Sequence, residues 1–252
     1  MRYFKHFFGF FILLVLVGCG SRTNYAPVAE LKWQPFSKYQ KNHRVVRGET
    51  LYAIAFRYDT DYRRLAALNH LRFPYSLRVG QVINVRGGAV PIQRTQRQPT
   101  YARSNYRAPS KVASRVIYAP VLSAHSSGKW LWPVSGRVVT SFYPEQGKKG
   151  INIAGVKGQR VVAASGGVVA YAGSGLAGYG NLIIIKHNNE YLTAYGNSAK
   201  NLVSEGQQVK QGQAIAEVGV LERKYWGVHF EIRKAGKPVN PLSYLHDPQH
   251  YR

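Results

Sequence analysis

The chain has 252 residues, 45% of them apolar, enough for one or two ordinary domains with connectors and cores of normal size. Thirty-five Lys and Arg against 11 Asp and Glu leave a formal charge of +24, which points away from cationic partners and towards nucleic acid, lipid headgroups or an acidic polymer. A single cysteine excludes an internal disulfide.

Residues 1–18 have the parts of an export signal: Arg2 and Lys5, then the apolar run Phe7–Val17 interrupted only by Gly9. That run is too short for a comfortable membrane-spanning helix. It ends in Leu16-Val17-Gly18-Cys19, which resembles the lipobox of bacterial lipoproteins, and Cys19 is the only cysteine. The resemblance implies cleavage before Cys19 and lipidation of it; an ordinary signal peptide or an uncleaved anchor is the alternative. Acyl chains on Cys19 would give stable membrane attachment, and loss of Arg2 and Lys5 would leave a charge near +22 (24 − 2). The same resemblance, with Gly20 and not Asp after the cysteine, implies sorting to the outer membrane of a Gram-negative cell, facing the periplasm. Nucleic acid is then not an expected partner, and the basic charge points to murein or anionic lipid.

Residues 19–42 are polar, without sustained periodicity, and read as a tether. Residues 43–86 read as a strand–helix–helix–strand unit. "HRVV" is a short strand, and Leu51, Ile54, Ala55 and Tyr58 share one helical face behind Thr50 as N-cap. Asp61 or Thr60 caps a second helix carrying Leu65 and Leu68, and "QVINV" closes the unit. "GETL", "LAALN" and "LRVGQVI" resemble the LysM family. The resemblance implies binding of N-acetylglucosamine-containing glycans, here peptidoglycan, through Gly48, Glu49, Thr50, Leu51, Arg72, Phe73, Pro74 and Tyr75, with the stretch running on to Leu77. Residues 87–127 carry spaced cations and no acid, the composition of a disordered basic linker.

From residue 128 to 247 short β-type runs are separated by glycine turns, with no stretch of helical length and period. The expected fold is therefore mainly β: a small βααβ unit plus an all-β C-terminal domain, an antiparallel sandwich or barrel-like fold. "PVSGRVVTSF", "KGINIAG", "GYGNLIIIKH", "VKQGQAIAEVG" and "HFEI" resemble the LytM or lysostaphin-type zinc endopeptidases of peptidoglycan. Active members hold zinc with H-x-x-x-D and the second histidine of H-x-H. The first histidine of that pair and one on a preceding strand act on water and oxyanion. Carried over, those positions are Lys148, Asn152, Asn197 and Gly227, and only His229 survives as a ligand type.

No shift of register rescues the motif. There is no histidine between His125 and His187 and no aspartate between Asp61 and Asp247. An ammonium group has no lone pair and repels a dication, and one imidazole is not a zinc site. The sequence thus predicts no catalytic residue, no metal and no cofactor; His187 reads as a satisfied strand-end histidine. The resemblance places Tyr143, Tyr179, Tyr195, Tyr225 and Trp226 along the vacated cleft, and with Lys148, Asn152, Asn197 and His229 they form a candidate partner-binding groove.

The order of signal, LysM unit, basic linker and degenerate peptidase domain resembles the NlpD-like outer-membrane lipoproteins. That implies activation of a periplasmic N-acetylmuramoyl-L-alanine amidase in murein splitting. A structural tether between membrane and wall, or an endopeptidase with an unusual site, are the competing readings.

Overall fold

The computed structural model describes residues 40–87 and 130–246. The signal segment, Cys19, nearly all of the tether and the linker lie outside the described residues.

In the N-terminal unit, β1 (Asn42–Arg44) pairs antiparallel with β2 (Val82–Asn84), His43 opposite Ile83, and α1 (Leu51–Arg57) and α2 (Tyr62–Leu68) lie between them in the chain. Both helices start on side-chain caps that satisfy an otherwise orphaned amide. Thr50 accepts from the Ala53 N–H, and it is Asp61, with extended backbone, that accepts from the Arg63 N–H. Leu51, Ile54 and Ala55 are buried as their helical spacing predicts, while Tyr58 is half-buried. Yet Tyr52, Ala53 and Phe56 are buried as well, so six consecutive residues of α1 are out of solvent. A helix apolar on every side must be covered on more than one face.

The cover is the C-terminal domain. Its first strands are β3 (Val138–Thr140), β4 (Ile151–Ala154), β5 (Arg160–Val162), β6 (Gly167–Gly173), β7 (Asn181–Lys186) and β8 (Tyr191–Ser198). Then come β9 (Lys200–Asn201), β10 (Gln208–Val209), β11 (Ala214–Glu217), β12 (Gly219–Leu221), β13 (Tyr225–Lys234) and β14 (Lys237–Val239). A nine-stranded antiparallel sheet runs β10-β6-β7-β8-β13-β4-β3, with β12 and β14 also on β13; β5-β11-β9 form a smaller sheet. Between residues 130 and 246 the only helical segments described are two 3-10 turns, at 144–146 and 241–243.

Side-chain alternation splits the large sheet into two faces. Ile183 and Ile185 of β7, Ile151 and Ile153 of β4, and Phe230 and Ile232 of β13 enter one core with Val161, Ile215 and Val218 around the smaller sheet. Leu182 and Ile184 of β7, with Ala170, Tyr171, Leu192 and Ala194, enter a second core shared with Leu51–Phe56, Tyr62 and Leu65. Helix α1 therefore packs on the outer face of the sheet. Thr50 Oγ1 donates to the Ala170 carbonyl (3.1 Å) and Arg57 Nη2 to that of Gly175 (3.1 Å).

Candidate functional site

Strand β13 organises the site. Its period of two sends Val228, Phe230 and Ile232 into the inter-sheet core and leaves His229, Glu231 and Arg233 on the opposite face, the one on which α1 packs. Register sets Asn152 of β4 directly opposite His229 on one side and Gly196 of β8 opposite it on the other. Two of the three expected ligand positions are thus neighbours, but they bind each other. Asn152 Oδ1 lies 2.7 Å from His229 Nδ1, and Asn152 Nδ2 is 3.3 Å from each of Thr140 Oγ1, Glu222 Oε1 and Tyr225 Oη.

The other ring nitrogen of His229, Nε2, lies 2.9 Å from Glu231 Oε1, which also accepts from the Tyr179 hydroxyl at 2.9 Å. Glu231 Oε2 accepts from Arg233 Nε at 2.7 Å, and Arg233 Nη1 donates in turn to Asp59, on the turn between α1 and α2. Lys149 Nζ caps the same carboxylate at 2.5 Å. Glu231 and Arg233 are both fully buried. Burial alone would raise the Glu231 carboxyl; the Arg233 charge and the bonds from His229 and Tyr179 outweigh it and bring it down to about 2. Burial, reinforced by the Glu231 charge, holds the Tyr179 hydroxyl well above its ordinary range.

Zinc does not fit these residues. Both nitrogens of His229 are engaged, an amide stands in place of the carboxylate, and Lys148 is exposed with Nζ 5.8 Å from the Tyr143 ring centroid. Among the described residues there is no group of three His, Cys, Asp or Glu side chains that could hold a metal. The position of the first H-x-H histidine has closed: a Cβ on Gly227 would lie 2.4 Å from the Ile153 carbonyl oxygen and 2.8 Å from Leu221 Cδ1. Asn197 is half-buried at φ +59°, its N–H donating to the Tyr179 carbonyl at 2.7 Å. His187 Nδ1 donates to the Gly166 carbonyl (2.7 Å) and Nε2 lies 2.8 Å from Thr193 Oγ1, so both its nitrogens have partners.

Other expected groove residues divide. Tyr143 is exposed, and Tyr225 and Trp226 are half-buried, with Lys157 Nζ 5.8 Å from the Trp226 ring. Tyr195 corrects the sequence reading. It is 0% exposed on the core side of β8, its hydroxyl accepting from the Ala164 N–H at 2.8 Å and its ring 5.3 Å from Phe230. One residue's shift in a strand moves a side chain to the other face, and Tyr195 lies on the wrong one. Tyr179 sits at the junction with α1, its ring 5.2 Å from Phe56 and 5.8 Å from His229.

In the N-terminal unit the expected glycan contacts also divide. Gly48, Arg72, Phe73 and Pro74 are exposed, Phe73 by 61%, and Tyr75 is half-buried. Leu51 is core, and Glu49 is enclosed by Arg57 Nη1 (2.8 Å), His43 Nε2 (2.7 Å) and the Val46 N–H (2.9 Å). These two cannot contact a ligand, and the Thr50 hydroxyl is already bonded to Ala170. Glu231, Arg233 and Asp59 went unnoticed in the sequence. The available signal was "HFEIR", an acid and a base two apart in an apolar strand, which is the pattern of a buried pair on one face.

The fold and site define a peptidase-type β domain that keeps one ligand-type residue of three, His229, beside a small βααβ module. Comparison with known proteins agrees. The sequence profile of Peptidase family M23 matches residues 146–241, and that of the LysM domain matches residues 43–86. The chain is 43% identical over 230 residues to "Lipoprotein NlpD/LppB homolog" of Pseudomonas aeruginosa, covering 80% of this chain and 75% of that one. It is 38% identical over 254 residues to "Murein hydrolase activator NlpD" of Escherichia coli, covering 81% and 67%. Among solved structures, Helicobacter pylori Csd3 matches with 30% identity and a TM-score of 0.43 over 47% of this chain and 33% of that one. The chain belongs to the NlpD/LppB family of lipoproteins.

Proposed function

We propose that this protein is a non-catalytic, murein-binding lipoprotein of the outer membrane that activates a periplasmic N-acetylmuramoyl-L-alanine amidase. The observation that carries the proposal is His229. It stands on an intact peptidase sheet, but Asn152 and Glu231 hold its two nitrogens where a hydrolase would present a ligand to zinc. A fold kept without its chemistry serves recognition, and relatives of this chain are named murein hydrolase activators.

In this reading Tyr143, Lys148, Tyr225 and Trp226, with Asn152, Asn197 and His229 at the base, form the partner groove. Aromatic side chains with a cation suit a protein hot spot. Gly48 and Arg72–Tyr75 supply the glycan contacts, Phe73 offering an apolar platform. Lipid on Cys19 ties the chain to the membrane. A partner can raise an enzyme's activity only by binding its active state better than its inactive one. The test is release of label from purified sacculi by each periplasmic amidase of the same cell, with and without the full chain in detergent. The expected result is stimulation of one amidase at least tenfold and no release by the chain alone. Absence of stimulation for every amidase would leave the tether reading, and release by the chain alone would restore the endopeptidase.

A further inference from the structure

The groove and the LysM-like unit are joined by one continuous polar chain. It runs Asn152, His229, Glu231, Arg233, Asp59, with contacts of 2.7, 2.9 and 2.7 Å followed by the Arg233–Asp59 bond. A second route runs beside it through rings: His229 to Tyr179 at 5.8 Å and Tyr179 to Phe56 at 5.2 Å. Arg233 ties the two routes together, its guanidinium 4.3 Å from the Phe56 ring centroid, and the Tyr179 hydroxyl donates to the Glu231 oxygen that holds His229.

The Arg233–Asp59, Tyr179–Phe56 and Arg233–Phe56 contacts cross between the units, Asp59 and Phe56 coming from the LysM-like one; every other link lies within the C-terminal domain. Glu231 alone faces three donors, His229, Tyr179 and Arg233, and Arg233 is planar and fully buried, so its orientation is set by the carboxylates at its two ends. Removing the charge at Asp59 leaves Arg233 with a single carboxylate. The guanidinium then reorients on Glu231, and Glu231 carries His229 with it. In a low-dielectric site such bonded chains move as a unit.

We propose, building on the activator reading, that Asp59 is a positioning residue of the groove: it acts through Arg233 and Glu231 to fix the ring of His229, so the groove is complete only while the LysM-like unit is docked. The LysM-like unit then has a role beyond holding glycan, as one wall and one counter-ion of the partner site.

The test uses the full chain in detergent, comparing Asp59→Asn with Asp59→Glu. Three quantities are measured: amidase stimulation on sacculi, binding to sacculi with no amidase present, and the ring nitrogen resonances of His229, assigned through His229→Gln. For Asp59→Asn the expected results are a loss of stimulation of about tenfold, within the usual range of coupling between sites, and displaced His229 resonances. Sacculus binding should change by less than about twofold, since Asp59 is not among the glycan contacts. Asp59→Glu restores both the stimulation and the resonances at least in part, which a merely structural defect would not show. If Asp59→Asn does not fold, Arg233→Lys, which keeps the buried charge but cannot span the two carboxylates with a planar fork, takes its place with the same direction of change expected. Unmoved His229 resonances, or stimulation unchanged while the resonances move, overturns the proposal. A wild-type chain that stimulates no amidase overturns the activator reading instead, and the resonances then decide the positioning claim alone.

Discussion

His187 is wholly enclosed, between the Gly166 carbonyl, Thr193 Oγ1 and the Trp130 ring 5.0 Å away. Burial depresses its pKa from 6.5 to about 4, against the Gly166 bond that favours the charged form. Between those values the unfolded chain binds more protons than the folded one, so stability is fully present above 6.5 and is lost as pH falls towards 4. From pH 7 to pH 5 the loss is about 2 kcal/mol, read as a lower urea midpoint. In His187→Gln the midpoint should start lower and fall much less over that interval; an unchanged slope would show that the acid sensitivity lies elsewhere. Glu231 works in the same direction in a lower window, between its ordinary value of 4.5 unfolded and about 2 folded. The sequence reading of His187 as a satisfied histidine needed only its place at a strand end. The place of Tyr195 was less legible, because a tyrosine inside a strand suits either face and only the register decides.

At the scale of elements, α1 and β7 teach the same lesson. The spacing of Leu51, Ile54 and Ala55 made α1 legible as a helix, and the run "NLIII" made β7 legible as a strand. What α1 packs on was not read, although both segments carry the sign: neither has a polar face. "LYAIAF" is apolar all round and "LIII" has no alternation: β7 lies between the two cores, while α1 is enclosed within the one that its own unit shares with the sheet. Phe56 is the residue through which this matters most, touching Tyr179 and Arg233 together. Phe56→Ala should cost about 3–5 kcal/mol. Because the lost contacts bridge the two units, thermal unfolding should also separate into two transitions. Scanning calorimetry checks both, and one transition shifted without splitting would mean that the units unfold together regardless of this contact.

At the scale of the molecule, the charge is unevenly neutralised. The three acids between residues 43 and 86 are all in ion pairs: Glu49 with His43 and Arg57, Asp59 with Lys149 and Arg233, Asp61 with Arg63. Arg44, Arg47, Arg72 and Arg78 are exposed, with no carboxylate partner among the described residues. The attraction to acidic murein is therefore long-ranged and open to screening, since the Debye length shrinks from about 10 Å at 0.1 M salt to about 3 Å at 1 M. Binding to sacculi should weaken at least tenfold between 0.05 M and 0.5 M NaCl, followed by pull-down; salt-independent binding would assign the affinity to sugar contacts alone. Gly227 bears on a longer timescale. With the Ile153 carbonyl and Leu221 occupying the space of any side chain there, a lineage carrying this packing has no single-step return to a histidine at that position. Hydrolysis of the family's type would need different residues at 148, 152, 197 and 227 and room made at Leu221. A histidine at 227 would thus have to displace backbone as well as a neighbouring side chain before it could act.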